Sequence, residues 1–296
     1  MEKQILEQYL KAGRIAAEVL QYGRGLVKED TPLVDIAEAI ERKIESMGGK
    51  PAFPVNISLN DVAAHYSPTL KDKMAVKAED YVKLDVGVHV DGWIADTAIT
   101  VRLAGEDKLI KCANKMLATA LPMFRPGTSL AEIGKAIEDV AKEFKLNAIR
   151  NLTGHSLGRY DLHAGFVVPN VHTSSNKTIA EGEVYAVEPF CTSGGGWVKD
   201  AEPPMIFRWI ADKPVRMAEA RKLLRLAKVD FNKLPFAKRW IEKHMSAVKV
   251  ELALRQTISI GAMHPYNILK ESSGAAVAQA EHTVIVADKP IVTTKL

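Results

Sequence analysis

The sequence has only two cysteines, Cys112 and Cys191, too few for a disulfide framework and without the paired spacing of a zinc knuckle. A reducing, cytoplasmic compartment is the expectation. No apolar stretch approaches the roughly 18 residues that a membrane span needs. The opening segment (Ile5, Tyr9, Ala12, Ile15, Ala16, Val19) has helical spacing and reads as an amphipathic helix, not a secretory signal. There is no short-period repeat and no low-complexity tract. Charge of one sign is also scarce: 40 Lys and Arg against 36 Asp and Glu leave +4, too little to make nucleic acid the main ligand. What remains is an ordinary globular composition, 47% hydrophobic over 296 residues, long enough to bury a deep, water-poor site.

Helical periodicity covers residues 4–22, 33–47, 106–124 and 129–144, with starts expected at Thr31-Pro32 and Thr128-Ser129 and with Gly48 and Gly127 separating segments. Strand-like runs lie at 81–90, 93–101, 183–190 and 281–286, and antiparallel pairing is expected. One segment differs from the rest: 212–243 carries ten Lys or Arg against four Asp or Glu, with helical spacing and a break near Pro235. It reads either as a helical subdomain that touches something acidic, such as ribosomal RNA, or as a solvated helix face.

The run KLDVGVHVDGWIADTAITV places Asp91-Gly92 between two alternating apolar stretches, the pattern of a two-residue hairpin. Pairing Val90 with Trp93 then sets Gly87 across from Asp96, with Asp85 two residues along the same face. Two carboxylates so placed are diagonal neighbours, roughly 7 Å apart. They repel, and a divalent cation in the space that Gly87 leaves free would neutralise them. A solvated hairpin face is the competing reading. Three later residues are polar where the pattern expects apolar: His155 in LTGHSLGRYDLHAG, Glu188 in EVYAVEPF and Glu281 in AEHTVIV. A carboxylate at the depth of Glu188 is costly unless it is paired with Lys or Arg or binds metal.

Taken in order, Asp85, Asp96, His155, Glu188 and Glu281 and the words around them resemble the methionine aminopeptidases, specifically the type II enzymes of archaeal character. The resemblance spans almost the whole chain, from FPVNISLNDVAAHYSP to AEHTVIV. It implies an α+β pita-bread fold, two pseudo-symmetric halves with helices packed on a curved antiparallel sheet. Residues 1–207 and 263–296 would form this catalytic domain, and 208–262 an inserted helical subdomain typical of type II. It also implies two divalent metal ions (Co, Mn, Fe, Zn or Ni), with Asp85 on one, Asp96 and Glu281 bridging both, and His155 and Glu188 completing the other. Four carboxylates and one imidazole suit hard or borderline cations.

The chemistry that the resemblance implies is attack of a metal-bridged hydroxide on the scissile carbonyl, with Glu188 as proton shuttle. His65 would contact the scissile amide and His163 the carbonyl or tetrahedral intermediate, while Phe53, Leu162, Phe190 and Tyr266 would line the methionine pocket. His89 and His172 match no role and are expected at the surface. The substrate would be the N-terminal methionine of nascent polypeptides with a small second residue. Transient ribosome contact, a monomeric state, and no membrane or specific nucleic acid partner complete the expectation. An X-Pro aminopeptidase or dipeptidase of the same fold shares the ligand types, and a non-catalytic binding protein on this scaffold would show eroded ligands.

Overall fold

The computed structural model describes residues 1–296. Helices α1 (Lys3–Leu26) and α2 (Leu33–Ser46) form where apolar residues recur every three or four positions. The first sheet contains β1 (Lys50–Pro51), β2 (Asn56–Leu59), β4 (Val82–Val90) and β5 (Trp93–Val101), while β3 (Val62–Ala64) joins a different one. Alternation along β4 sends Val82, Leu84, Val86 and Val88 into a core with α1 and α2. The opposite face therefore carries Lys83, Asp85, Gly87 and His89. The β4–β5 hairpin has the expected register, with Val90 opposite Trp93 and Gly87 opposite Asp96. Its turn residues Asp91 and Gly92 have φ of 50° and 86°, as a type I′ turn requires.

A second helix pair, α3 (Lys108–Ala120) and α4 (Leu130–Glu143), covers the other half. Asp107 caps α3 by accepting from the Leu109 and Ile110 N–H groups. Ser129, not Thr128, caps α4 in a reciprocal box with Glu132. Beneath them run β6 (Asn147–Ala148), β7 (Thr153–Ser156), β8 (Val167–Pro169), β9 (Val184–Val187) and β10 (Phe190–Thr192). The run expected as one strand over 183–190 is thus broken at Glu188-Pro189, since proline has no N–H to give to a ladder. On either side of the break, β9 pairs with β7 and with β15 (His282–Ile285), whereas β10 pairs with β6 and with β14 (Val277–Gln279).

The halves are sewn together along β5. Glu281 N–H donates to the Ala98 carbonyl at 2.9 Å, Asp96 N–H to Thr283 Oγ1 at 2.7 Å, and Thr97 Oγ1 to the Glu281 carbonyl at 2.8 Å. Two helix pairs over a curved, largely antiparallel sheet make the pita-bread architecture. No helix is long and apolar enough to cross a membrane.

Between the long strands β11 (Val198–Trp209) and β13 (Met263–Glu271) the chain forms α5 (Ala218–Val229), β12 (Phe236–Ala237), α6 (Lys238–Glu242) and α7 (Ala247–Ser259). Leu223, Leu224, Ala227, Phe236, Val250 and Leu254 make a separate core there. On α5, Arg221, Lys222, Arg225 and Lys228 are exposed. Arg239 departs from this solvated pattern: it is buried and ion-paired with Glu41 of α2, and donates to Ser67 Oγ at 2.6 Å. Trp240 Nε1 donates to the other Glu41 oxygen at 2.9 Å. Removing one partner of such a pair strands a charge, so Glu41→Ala is expected to cost about 3 to 5 kcal/mol in urea denaturation, and Glu41→Met with Arg239→Leu to recover most of it. A loss below about 1 kcal/mol for the single variant would show a pair of merely surface strength.

Candidate metal centre

Register alone carries the five candidate ligands toward one point. Asp85 and Asp96 share a face of the β4–β5 hairpin, and the Ala98–Glu281 bridge brings Glu281 beside Asp96. Antiparallel pairing of His282 with Val187 extends toward Glu281 opposite Glu188, and His155 of β7 lies across from Ala186, two residues before Glu188. Donor atoms of Asp96, His155 and Glu281 all lie within 4.8 Å of one another. His155 Nε2 is 3.4 Å from Glu188 Oε1 and 3.7 Å from Asp96 Oδ2. Asp85 Oδ2 accepts from Gln279 Nε2 at 3.3 Å.

The electrostatics are those of a site that wants cations. No Lys or Arg pairs with any of these four carboxylates, and Asp85 Oδ1, Asp96 Oδ1 and Glu281 Oε2 are buried with no hydrogen-bond partner. Burial pushes Asp85 up to about 7. Asp96, Glu188 and Glu281 are raised well above the usual carboxylate range, first by burial and then by neighbouring carboxylates: Asp85 on Asp96, Asp96 and Asp85 on Glu188, and Asp96, Glu188 and Asp85 on Glu281. Burial, then the neighbouring His163, hold His155 well below its ordinary value, so its ring is neutral, the form that ligates metal. Orphaned oxygens, mutual repulsion and a neutral imidazole fit divalent cations.

The five residues line a cavity of about 70 Å³. His65, His163, Phe53, Leu162 and Tyr266 stand on its wall too, with Asn56, Ala64, Ile206 and Pro235, which the sequence reading did not single out. Asn56 had a usable signal, since it follows Phe53 in FPVN and pairs with Asp85 across β2 and β4. Ile206 and Pro235 had none, because Ile206 reaches the cavity only through its pairing with Tyr266 across β11 and β13, and Pro235 only through the fold of the segment between those strands. A larger cleft of about 710 Å³ between α2 and the insert shares Pro235 but has mixed, scattered charges and no converging ligands.

His65 has φ of +65°, a left-handed backbone uncommon outside glycine. Its Nδ1 lies 3.0 Å from the Asn267 carbonyl and so carries the proton, leaving Nε2 with a free lone pair. Burial lowers its basicity. The His163 ring lies 4.4 Å from that of His155 and 6.2 Å from that of Tyr266, on the solvent side.

Three expectations need correction. The space over Gly87 is not free for a cation: a Cβ there would come within 2.2 Å of the Phe53 ring, so the glycine admits Phe53. Phe190 does not line the cavity; beyond the Glu188-Pro189 break it turns into a core with Ala63, Ile149, Leu152 and Val277. His89 is buried, not at the surface, and its Nδ1 accepts from the Gly92 N–H at 3.1 Å, bracing the hairpin turn. His172 is exposed as expected.

Comparison with known proteins agrees with this geometry. The model of metallopeptidase family M24 matches residues 7–288. A methionine aminopeptidase of Thermococcus onnurineus is 47% identical over 282 residues, covering 95% of this chain and 96% of that protein. Among solved structures, a thermophilic Arx1 superposes with a TM-score of 0.87 at 17% identity, covering 99% of this chain and 91% of that one. The methionine aminopeptidase of Thermotoga maritima superposes with a TM-score of 0.73 at 20% identity, covering 100% and 98%. Sharing fold and sequence over nearly its full length, the chain belongs to metallopeptidase family M24 and, within it, to the methionine aminopeptidases, which are metal-dependent exopeptidases.

Proposed function

We propose that the chain removes the N-terminal methionine of nascent polypeptides whose second residue is small, using two divalent cations drawn from Co, Mn, Fe, Zn and Ni. The observation that carries this reading is the set of four carboxylates, Asp96 and Glu281 buried and Asp85 and Glu188 partly buried, that no Lys or Arg neutralises, facing a neutral His155 in a small cavity. Four negative charges balance two dications, so Asp85, Asp96, His155, Glu188 and Glu281 are the residues that would hold them. We also take 208–262 as a helical subdomain inserted into a catalytic domain of 1–207 and 263–296.

When bound, such cations supply Lewis acidity, lowering the pKa of water and polarising a carbonyl oxygen. The chain's own groups do the rest. Glu188, its carboxyl kept basic by burial, takes a proton at Oε1 from the attacking water and returns it to the departing nitrogen. His65, protonated on Nδ1, offers Nε2 as acceptor to the scissile N–H and so orients the amide. His163 donates to the developing oxyanion from the mouth side. Phe53, Leu162, Ile206 and Tyr266 present an apolar wall to the methionine side chain, while crowding of His65, His163 and Tyr266 limits the second residue. The α-amine would meet the carboxylate cluster, which restricts cleavage to the first peptide bond.

Chelated protein should be inactive on Met-Ala-Ser and regain turnover on titration with Mn²⁺ or Co²⁺. Faster hydrolysis of a peptide with a non-Met first residue and proline second would instead assign the X-Pro class. His65→Ala is expected to lower kcat by roughly 10²- to 10³-fold with metal content per chain unchanged; equal loss of metal would make His65 a ligand. Stability gives a readout apart from turnover. Asp85 holds its proton up to about 7 when folded, against 3.8 in an ordinary carboxyl. A raised folded-state pKa means full stability below the unfolded value and loss as pH rises through the folded one. Buried histidines such as His89, His163 and His282, held down to about 4, act in the opposite sense, so the Asp85 contribution is read against Asp85→Asn. Relative to that variant, metal-free protein should melt progressively lower between about pH 4 and about pH 7, and saturating Mn²⁺ near neutrality should restore about 5 °C or more. A flat pH profile with no metal effect would remove the cation site from the account.

A further inference from the structure

The cavity wall continues beyond the residues that line it. In the β11–β13 ladder Ile206 pairs with Tyr266, both on the cavity, and Arg208 pairs with His264 two residues further on. Residues two apart in a strand share a face, so Arg208 and His264 prolong that wall outward by about 7 Å. Phe207, between them, points the other way, into the core of the insert beside Phe236. His264 stands edge-on to Tyr266 at 5.2 Å between ring centres, in touch with the rings of the mouth.

Arg208 has no partner of its own. It enters none of the protein's ion pairs, and its buried Nε has no hydrogen bond. Burial, followed by nearby cationic groups including Arg208, holds down the protonation of His163 and His264, which places the guanidinium charge at the mouth. Asp161, exposed on the loop between β7 and β8, acts on His163 and Tyr266 with the sign opposite to that of Arg208. A half-buried guanidinium without a counter-ion, on a lip that leads out of a peptide-cleaving cavity, is a waiting anion site.

We propose that Arg208, with His264 beside it, binds a carboxylate at the third residue of the substrate, giving this enzyme a preference for acidic peptides. The inference rests on the aminopeptidase reading above. An extended peptide advances about 3.4 Å per residue. With the methionine residue level with the Ile206–Tyr266 pair, the third residue comes level with Arg208 and His264. The carboxylate is either an Asp or Glu side chain there or the free end of a tripeptide, and both present two oxygens to the guanidinium fork.

The test compares kcat/KM of the metal-loaded enzyme on Met-Ala-Glu-Gly-amide against Met-Ala-Gln-Gly-amide, and on Met-Ala-Ser against its amide. At low salt the charged member of at least one pair should be favoured by about threefold to tenfold, less at high salt. Arg208→Gln should bring the ratio to about one, Arg208→Lys should keep part of it, and Asp161→Asn should raise it. A preference confined to one pair supports the site and identifies its source, side chain or chain end. A ratio of one in the wild type, a ratio that survives Arg208→Gln, or a fall in Asp161→Asn overturns the proposal. If no methionyl peptide is cleaved, the aminopeptidase reading fails by itself, and calorimetric titration with the same peptides judges Arg208 by the same ratios.

Discussion

Four carboxylates gathered around one point, two of them buried and two partly buried, with no basic side chain among them, are the constraint that organises this protein. Each would cost several kcal/mol to bury ionised and alone. Here neighbouring carboxylates also raise Asp96, Glu188 and Glu281, and three oxygens of the cluster have no protein partner. A fold that stabilises the arrangement must supply rigid walls and leave the neutralising charge to come from outside. The repulsion that makes the cluster expensive in the bare chain is what makes it selective for doubly charged ions.

Rigidity comes from a seam between two half-sheets. Asp96 of β5 and Glu281, just before β15, are 185 positions apart in the chain, yet their segments share hydrogen bonds through Ala98, Thr97 and Thr283. Asp85, Asp96 and His155 are thereby fixed by sheet register, with Glu281 held by its bridge to Ala98 and Glu188 at the end of β9, the kind of placement that gives a preorganised site its precision. Each half brings its own helix pair and core, so the seam is clamped from both outer faces. The insert contributes differently. Anchored through the buried Arg239–Glu41 pair, it sets Pro235 on the cavity wall and backs the β11–β13 ladder whose outer pair holds Arg208 and His264.

Much of this was legible in the sequence because it depends on short-range rules. The Asp91-Gly92 turn dictates its register, which places Asp85 near Asp96 with no reference to the rest of the chain. The polar residues His155, Glu188 and Glu281 stood out against apolar strands, and the words around them pointed to a family with which nearly the whole length agrees. The misreadings came where a side chain's surroundings are set by distant segments. Gly87 looked like room for an ion, but Phe53, from a loop 34 positions earlier, fills it. Phe190 shared an apolar run with Glu188, but the run is split by Pro189 and its parts belong to different sheets. His89 lacked a motif and is nonetheless buried as a brace for its own turn.

The sequence by itself determined the four helices of the two pairs, the hairpin register, the family and the candidate ligands, because periodicity, turn chemistry and local words are properties of neighbouring residues. Only the tertiary structure decided which carboxylate oxygens are left without partners, which aromatic rings border the cavity, and that Arg208 and His264 continue its wall without a counter-charge. Those facts arise from the packing of strands that are far apart in the chain, and burial and field at a point depend on everything that surrounds it.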